Sequence, residues 1–176
     1  MAKKSGYNDE SIVALKGKDR VRKKPAVIFG TSGIDGCKHS VFEIVSNSVD
    51  EAREGYGDKI VVTRFADNSV EVQDFGRGIP VDYNAKEGRF NWELVFCELY
   101  ASGKYNNGED GNYEFSLGTN GLGACATQYS SEYMTVKSYN GKQLYEIDFK
   151  VGEPDGELRV RDLASREPKK NGTVIR

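Results

Sequence analysis

Between residues 37 and 56 the apolar positions recur at helical spacing. At 100° per residue Val41, Ile44, Val45, Val49 and Ala52, with Ser48 among them, gather on one side, and His39, Glu43, Asn47, Asp50 and Glu51 gather on the other. This predicts one long amphipathic helix over 37–56. Upstream, short helical segments are predicted around 11–15 and 19–24, the second ending before Pro25, because a proline disfavours helical backbone in the residue before it. Gly30, Gly33 and Gly36 around Asp35 then read as a loop. Downstream the period falls to two. Residues 59–65 and 69–75, joined by Ala66-Asp67-Asn68, read as a hairpin. Residues 132–138 and 142–151 flank Tyr139-Asn140-Gly141, an Asn-Gly turn signal, and Tyr145, Ile147, Phe149 and Val151 alternate with polar neighbours. Residues 158–163 and 173–176 add strands. Residues 92–100 and 122–130 read as helices, separated by a glycine-rich stretch over 103–123.

Hairpins interspersed with helices predict an α+β fold, a two-layer sandwich in which a mixed, mostly antiparallel sheet carries helices on one face. The 176 residues suffice for one domain with its own core. Residues 1–15 form an expected N-terminal arm and 16–176 the domain, with no internal repeat or linker. Thr173-Val174-Ile175-Arg176 reads as the middle of a strand, so the chain is expected to be a piece of a longer domain.

Composition narrows the class further. Hydrophobic residues make up 38% and charged residues 30%, which suits a packed soluble domain and not a disordered chain. No stretch approaches the ~18 apolar residues of a membrane helix, and Met1-Ala2-Lys3-Lys4 lacks the apolar core of a signal peptide, so a cytoplasmic protein without membrane contact is expected. Cys37, Cys97 and Cys125 have no metal-type spacing and fit reduced thiols. The net charge is −2, and the one dense basic run, Lys16, Lys18, Arg20, Arg22, Lys23 and Lys24, reads as a solvated helix face. Duplex binding rests on a broad cationic surface, so this chain is not expected to grip DNA alone.

Three stretches carry candidate chemistry. Asp74-Phe75-Gly76-Arg77-Gly78-Ile79-Pro80 ends a strand with two glycines around a cation; the glycines let backbone approach a ligand, and a carboxylate at a strand end accepts hydrogen bonds from a planar amino group such as that of adenine. Taken alone, Gly76-Arg77-Gly78 is a weak signal, since such a tripeptide more often marks a plain turn. Leu117-Gly118-Thr119-Asn120-Gly121-Leu122-Gly123 precedes a helix, whose unpaired N–H groups make an anion cradle, and Lys104 can add positive charge to the same phosphates; a ligand-free loop is the competing reading. On the helix, Glu43 is placed to polarise a water for attack on a terminal phosphate, Asn47 one turn later to offer its amide oxygen to Mg²⁺, and His39 one turn earlier to orient Glu43. For such a stripe, simple solvent exposure is the alternative.

In this order the three stretches, with Glu43 through Ala52 as the first, resemble the three nucleotide-binding boxes of the GHKL ATPases, whose fold is the Bergerat two-layer sandwich. Residues 15–25, Ala101-Ser102-Gly103-Lys104-Tyr105 and Asn171-Gly172-Thr173-Val174 narrow the resemblance to the B subunits of DNA gyrase and topoisomerase IV, type IIA DNA topoisomerases, across essentially the whole chain. The resemblance implies Glu43 as general base, with His39 beside it, Asn47 as Mg²⁺ ligand, Asp74 as the adenine-binding carboxylate and Thr173 as its assistant. It implies that Arg77 pairs with Glu51 and flanks the base, that Gly78 and Ile79 line the pocket, and that Lys104, Gly118, Asn120, Gly121, Leu122 and Gly123 hold phosphates. Tyr7 matches an arm tyrosine that reaches the nucleotide of the opposite protomer, and Ile12 an apolar contact of that arm.

The implied cofactors are ATP and Mg²⁺. The implied partners are DNA and the topoisomerase A subunit, with homodimerisation through the arm when ATP is bound, and the implied activity is ATP hydrolysis coupled to DNA strand passage, in a family that is an antibiotic target. Because the domain of that family runs on past Arg176, this piece is expected to be largely monomeric and slow in turnover. Ser46 stands where an aspartate is common, Ala26-Val27-Ile28-Phe29 replaces Gly-Met-Tyr-Ile, and Asn120 replaces a histidine, which leaves gyrase against topoisomerase IV open. The alternatives are phosphotransfer to a protein histidine, as in GHKL kinases, and a non-catalytic nucleotide-binding module.

Overall fold

The computed structural model describes residues 11–101, 121–167 and 170–176, and in them the change of period along the chain becomes a change of layer. Period-two segments build one sheet. The expected hairpin is β1 (Ile60–Arg64) against β2 (Val70–Asp74), and the Asn-Gly turn joins β5 (Tyr133–Asn140) to β6 (Gln143–Lys150). Two-residue strands β3 (Tyr83–Asn84) and β4 (Arg89–Phe90) form a separate hairpin, while β7 (Glu153–Pro154) and β8 (Arg159–Asp162) share the far edge of β6. The strand β9 (Asn171–Ile175) enters between β2 and β5, so the order is β1-β2-β9-β5-β6-β7, and every described pairing is antiparallel.

Register explains the core. Val72, Ile175, Val136 and Ile147 lie opposite one another across four strands, and all are buried. Against this row pack Ile44 and Val41 of α3 (Ile34–Arg53), Phe96, Trp92 and Val95 of α4 (Asn91–Cys97), and Ala124 of α5 (Gly123–Ser130). Each fully buried side chain of this size contributes about 1.5–3 kcal/mol. A second cluster joins Val21 of α1 (Lys18–Arg22) and Phe29 of α2 (Pro25–Phe29) to Cys125, Ala126 and Tyr129, which ties the N-terminal helices to α5.

Several expectations are corrected. Residues 12–16 carry no regular structure in place of the helix expected over 11–15, and Gly17 turns the chain at φ +48° immediately before α1. Pro25 starts a helix as well as ending one, since its missing N–H and fixed φ suit the first helical position. The long helix begins at Ile34 and ends at Arg53, three residues earlier at each end than predicted; Gly36 is a buried helical residue and not part of a loop. Asp50, expected on the exposed polar stripe, is only 5% exposed.

Candidate functional site

A cavity of about 770 Å³ lies along α3, between that helix, the ends of β2 and β9 and the start of α5. Along α3 its wall includes residues from His39 to Glu51, a span of ~18 Å at 1.5 Å per residue. Of the residues singled out in the sequence, His39, Glu43, Asn47 and Glu51 contribute to the wall from α3. Asp74, Gly78 and Ile79 contribute from β2 and the loop after it, Gly121, Leu122 and Gly123 from the approach to α5, and Thr173 from β9. Arg77 is not on the wall. Its guanidinium grips Glu51 at two points, both 2.8 Å, and lies 3.8 Å over the Tyr56 ring, so its contribution is to hold Glu51. Ile12 is 74% exposed. Tyr7, Lys104, Gly118 and Asn120 lie outside the described residues.

The sheet end of the cavity is a fixed hydrogen-bond array. Asp74 Oδ1 accepts from the backbone N–H groups of Gly76 at 3.1 Å and Thr173 at 3.0 Å, and Oδ2 accepts from the Ser48 hydroxyl at 3.1 Å. Such charge-assisted bonds hold a buried carboxylate in one orientation. Beside it, Ser138 pairs in register with Thr173, and its hydroxyl accepts from Ile79 N–H at 2.8 Å and donates to Ile79 carbonyl at 2.9 Å. That clamp fixes the loop after β2 to the sheet. Gly78 sits at φ +85°, where an added Cβ would stand 2.7 Å from Tyr139 O and 2.8 Å from Ser138 Oγ, so any side chain here would push the loop off its seat.

The helical end differs. Glu43 Oε1 is 3.1 Å from His39 Nε2, and His39 Nδ1 is 3.3 Å from the Phe29 carbonyl oxygen. Both partners of the ring are acceptors, so a neutral imidazole serves one of them and only the doubly protonated ring serves both. Gly123 opens α5 against Glu43: a Cβ there would lie 2.2 Å from Glu43 Oε2, so this glycine lets the helix start close on the carboxylate. Leu122 and Gly123 also lead into the unpaired N–H groups of the first turn of α5. Asn47 is exposed on the cavity wall one turn from Glu43. Burial pushes the Cys97 and Cys125 thiols up to about 12, which leaves almost no thiolate at either near neutral pH.

Sequence reasoning missed Ser48, Ser138, Asp50, Arg20 and Lys24. The first two carried a signal. Ser48 is a polar residue in the apolar stripe of α3, and Ser138 continues the inward alternation Met134, Val136 along β5. A hydroxyl at a core position implies a buried partner, which here is Asp74 or Ile79.

No family model matches the chain. Related proteins do. The DNA gyrase B subunit of Thermotoga maritima is 41% identical over 170 residues, 97% of this chain and 26% of the relative. The type 2 topoisomerase B subunit of Aquifex aeolicus is 41% identical over 96% of this chain and 20% of its own length, and the DNA topoisomerase 4 B subunit of Staphylococcus epidermidis is 39% identical over 99% and 25%. The chain thus spans about a quarter of the length of these curated relatives. Among solved structures, the 43K ATPase domain of Thermus thermophilus gyrase B, crystallised with an aminocoumarin, superposes with a TM-score of 0.70 at 34% identity, covering 92% of this chain and 38% of that one. Identity of 39–41% across nearly all of its residues, carried on a shared fold, places the chain in the family of DNA gyrase and topoisomerase IV B subunits.

Proposed function

We propose that this chain binds ATP along α3 and positions water for hydrolysis of its terminal phosphate, as the nucleotide-binding part of a type II DNA topoisomerase B subunit of the gyrase or topoisomerase IV kind. One observation carries the reading: a single cavity presents an oriented carboxylate, Asp74, at its sheet end and a paired carboxylate and imidazole, Glu43 and His39, at its helical end. Asp74 accepts from the amino group of adenine, with Thr173 and Ser48 holding it, and Gly78 and Ile79 cover the base. Glu43 takes the proton of the attacking water, and His39 orients Glu43. Gly121, Leu122 and Gly123 receive phosphate oxygens at the start of α5, joined in this proposal by Lys104, Gly118 and Asn120.

Mg²⁺ fits such a site as a companion of the phosphates. Among the described residues no three metal-type side chains cluster, and Mg²⁺ commonly uses one or two protein ligands plus phosphate oxygens, a requirement the Asn47 amide meets. When bound it neutralises developing charge on the phosphoryl oxygens. The relatives named above are topoisomerase subunits, which favours hydrolysis over phosphotransfer to a protein histidine. In the whole protein the proposal extends to DNA, the A subunit, dimerisation through the arm with Tyr7 reaching the opposite nucleotide, a cytoplasmic setting and inhibition by aminocoumarin-type compounds. Calorimetric titration with a non-hydrolysable ATP analogue and Mg²⁺ tests the core of it. Binding by the wild type that is lost in Asp74→Ala is the expected result; no heat, or equal binding by the variant, removes the adenine assignment.

A further inference from the structure

The charges on the cavity wall are unequally placed. Glu43, Asp50, Glu51, Glu54 and Asp74 line it, and apart from His39 the cations on the wall among the described residues are Arg20 and Lys24. Neither of these two meets a carboxylate among the described residues. Asp19, their closest acidic neighbour in sequence, is taken by Lys23 at 3.0 Å, and Arg20 spends only its Nε, on the Leu15 carbonyl at 2.9 Å. Two cations turned to a cavity without acidic partners among the described residues are unusual for a merely solvated helix face, which ordinarily has water on one side and its own acids alongside.

Their place along the cavity follows from α3. Ser48 bonds to Asp74 at the sheet end; Glu43 lies ~7 Å back along the helix, and His39 a further ~6 Å. Beyond His39 stands α2, whose Phe29 packs its ring 6.0 Å from the imidazole, whose Val27 and Ile28 share the wall, and whose N-cap is Lys24. Arg20 and Lys24 therefore line the cavity from the α1–α2 side, which packs on α3 at its His39 end. A nucleotide whose base is held at Asp74 reaches that end only with the last phosphate of a triphosphate. We propose that Arg20 and Lys24 read the terminal phosphate, making the site prefer a nucleoside triphosphate over the diphosphate. This rests on the ATP reading above and adds to it the charge that tells substrate from product. A guanidinium presents paired donors to phosphoryl oxygens and an ammonium a compact charge, and both act more strongly in a partly enclosed cavity than in open water.

The test measures binding of adenosine, ADP and a non-hydrolysable ATP analogue with Mg²⁺ to the whole chain, in wild type, in a double variant Arg20→Gln with Lys24→Gln, and in Lys23→Gln. Glutamine keeps part of the aliphatic stem, and circular dichroism checks the fold. Lys23, 59% exposed and off the wall, controls for net charge. In the double variant the analogue weakens by about tenfold or more, while adenosine and ADP stay within about twofold, and Lys23→Gln leaves all three unchanged. An unchanged analogue affinity with adenosine still bound overturns the inference and leaves the ATP reading intact. Equal losses for all three ligands, or the same loss in Lys23→Gln, also overturn it, by assigning the two residues to structure or to the general field. A wild type that binds neither adenosine nor the analogue removes the ATP reading itself.

Discussion

The two ends of the cavity are built by different means. At the sheet end Asp74, Ser48, Ser138 and Thr173 come from four elements; Asp74 already accepts from the Ser48 hydroxyl and the Thr173 amide, and the Ser138 hydroxyl is already engaged by Ile79. At the helical end Glu43 and His39 come from one helix, are part exposed at 30% and 43% of their side chains, and share a single contact. A group whose bonds are made before the ligand arrives costs little to organise, so it suits recognition of a rigid planar base. A part-exposed carboxylate with spare bonding capacity, such as Glu43, can take up a proton during a reaction, which suits catalysis. In the proposed function the sheet thus fixes what is bound, and the helix leaves room for what is done.

Substitutions at each end should therefore register in different measurements. Glu43→Gln removes the proposed base while keeping the shape, and phosphate release should fall by about 10²–10⁴ with nucleotide affinity held; a comparable fall in adenosine affinity would mean the ends are not independent. Asp74→Ala should weaken adenosine binding by ~2 kcal/mol, roughly thirtyfold, in a titration, because Gly76 and Thr173 N–H groups also lose their acceptor. His39→Ala should lower kcat by about tenfold, the scale of a lost orienting contact, with KM little changed; a change confined to KM would reassign the imidazole to binding. Smallest, Ser48→Ala should cost adenosine affinity ~1 kcal/mol and leave kcat alone. An effect of Ser48→Ala on kcat alone would show that this hydroxyl belongs with the helical end.

The helical end was legible from spacing because Glu43, His39 and Asn47 lie on one element, where a period of 3.6 carries one residue onto the next. The hairpins were legible for the same reason, each being local. What the sequence did not show is pairing at long range: that β9 enters beside β2, that Ser138 reaches Ile79, or that Arg20 and Lys24 turn to the cavity through the packing of α1 on α5. Asp50 illustrates the limit within a single helix. The polar stripe is wide enough that a helical wheel places Asp50 with Glu51, but Asp50 is buried where Glu51 is partly exposed, and only the tertiary arrangement tells the two apart.

The insertion of β9 between β2 and β5 has a consequence for how the protein comes into being. On the ribosome, Asp74 emerges roughly a hundred residues before Thr173, whose amide it awaits, so a nascent chain can form the β1–β2 and β5–β6 hairpins early and still have an open seam through the middle of its sheet. In the proposed function, competence to hold a purine waits on the closing of that seam. A nucleoside that binds only the closed form then acts as a pharmacological chaperone, drawing maturing molecules toward the finished sheet by mass action.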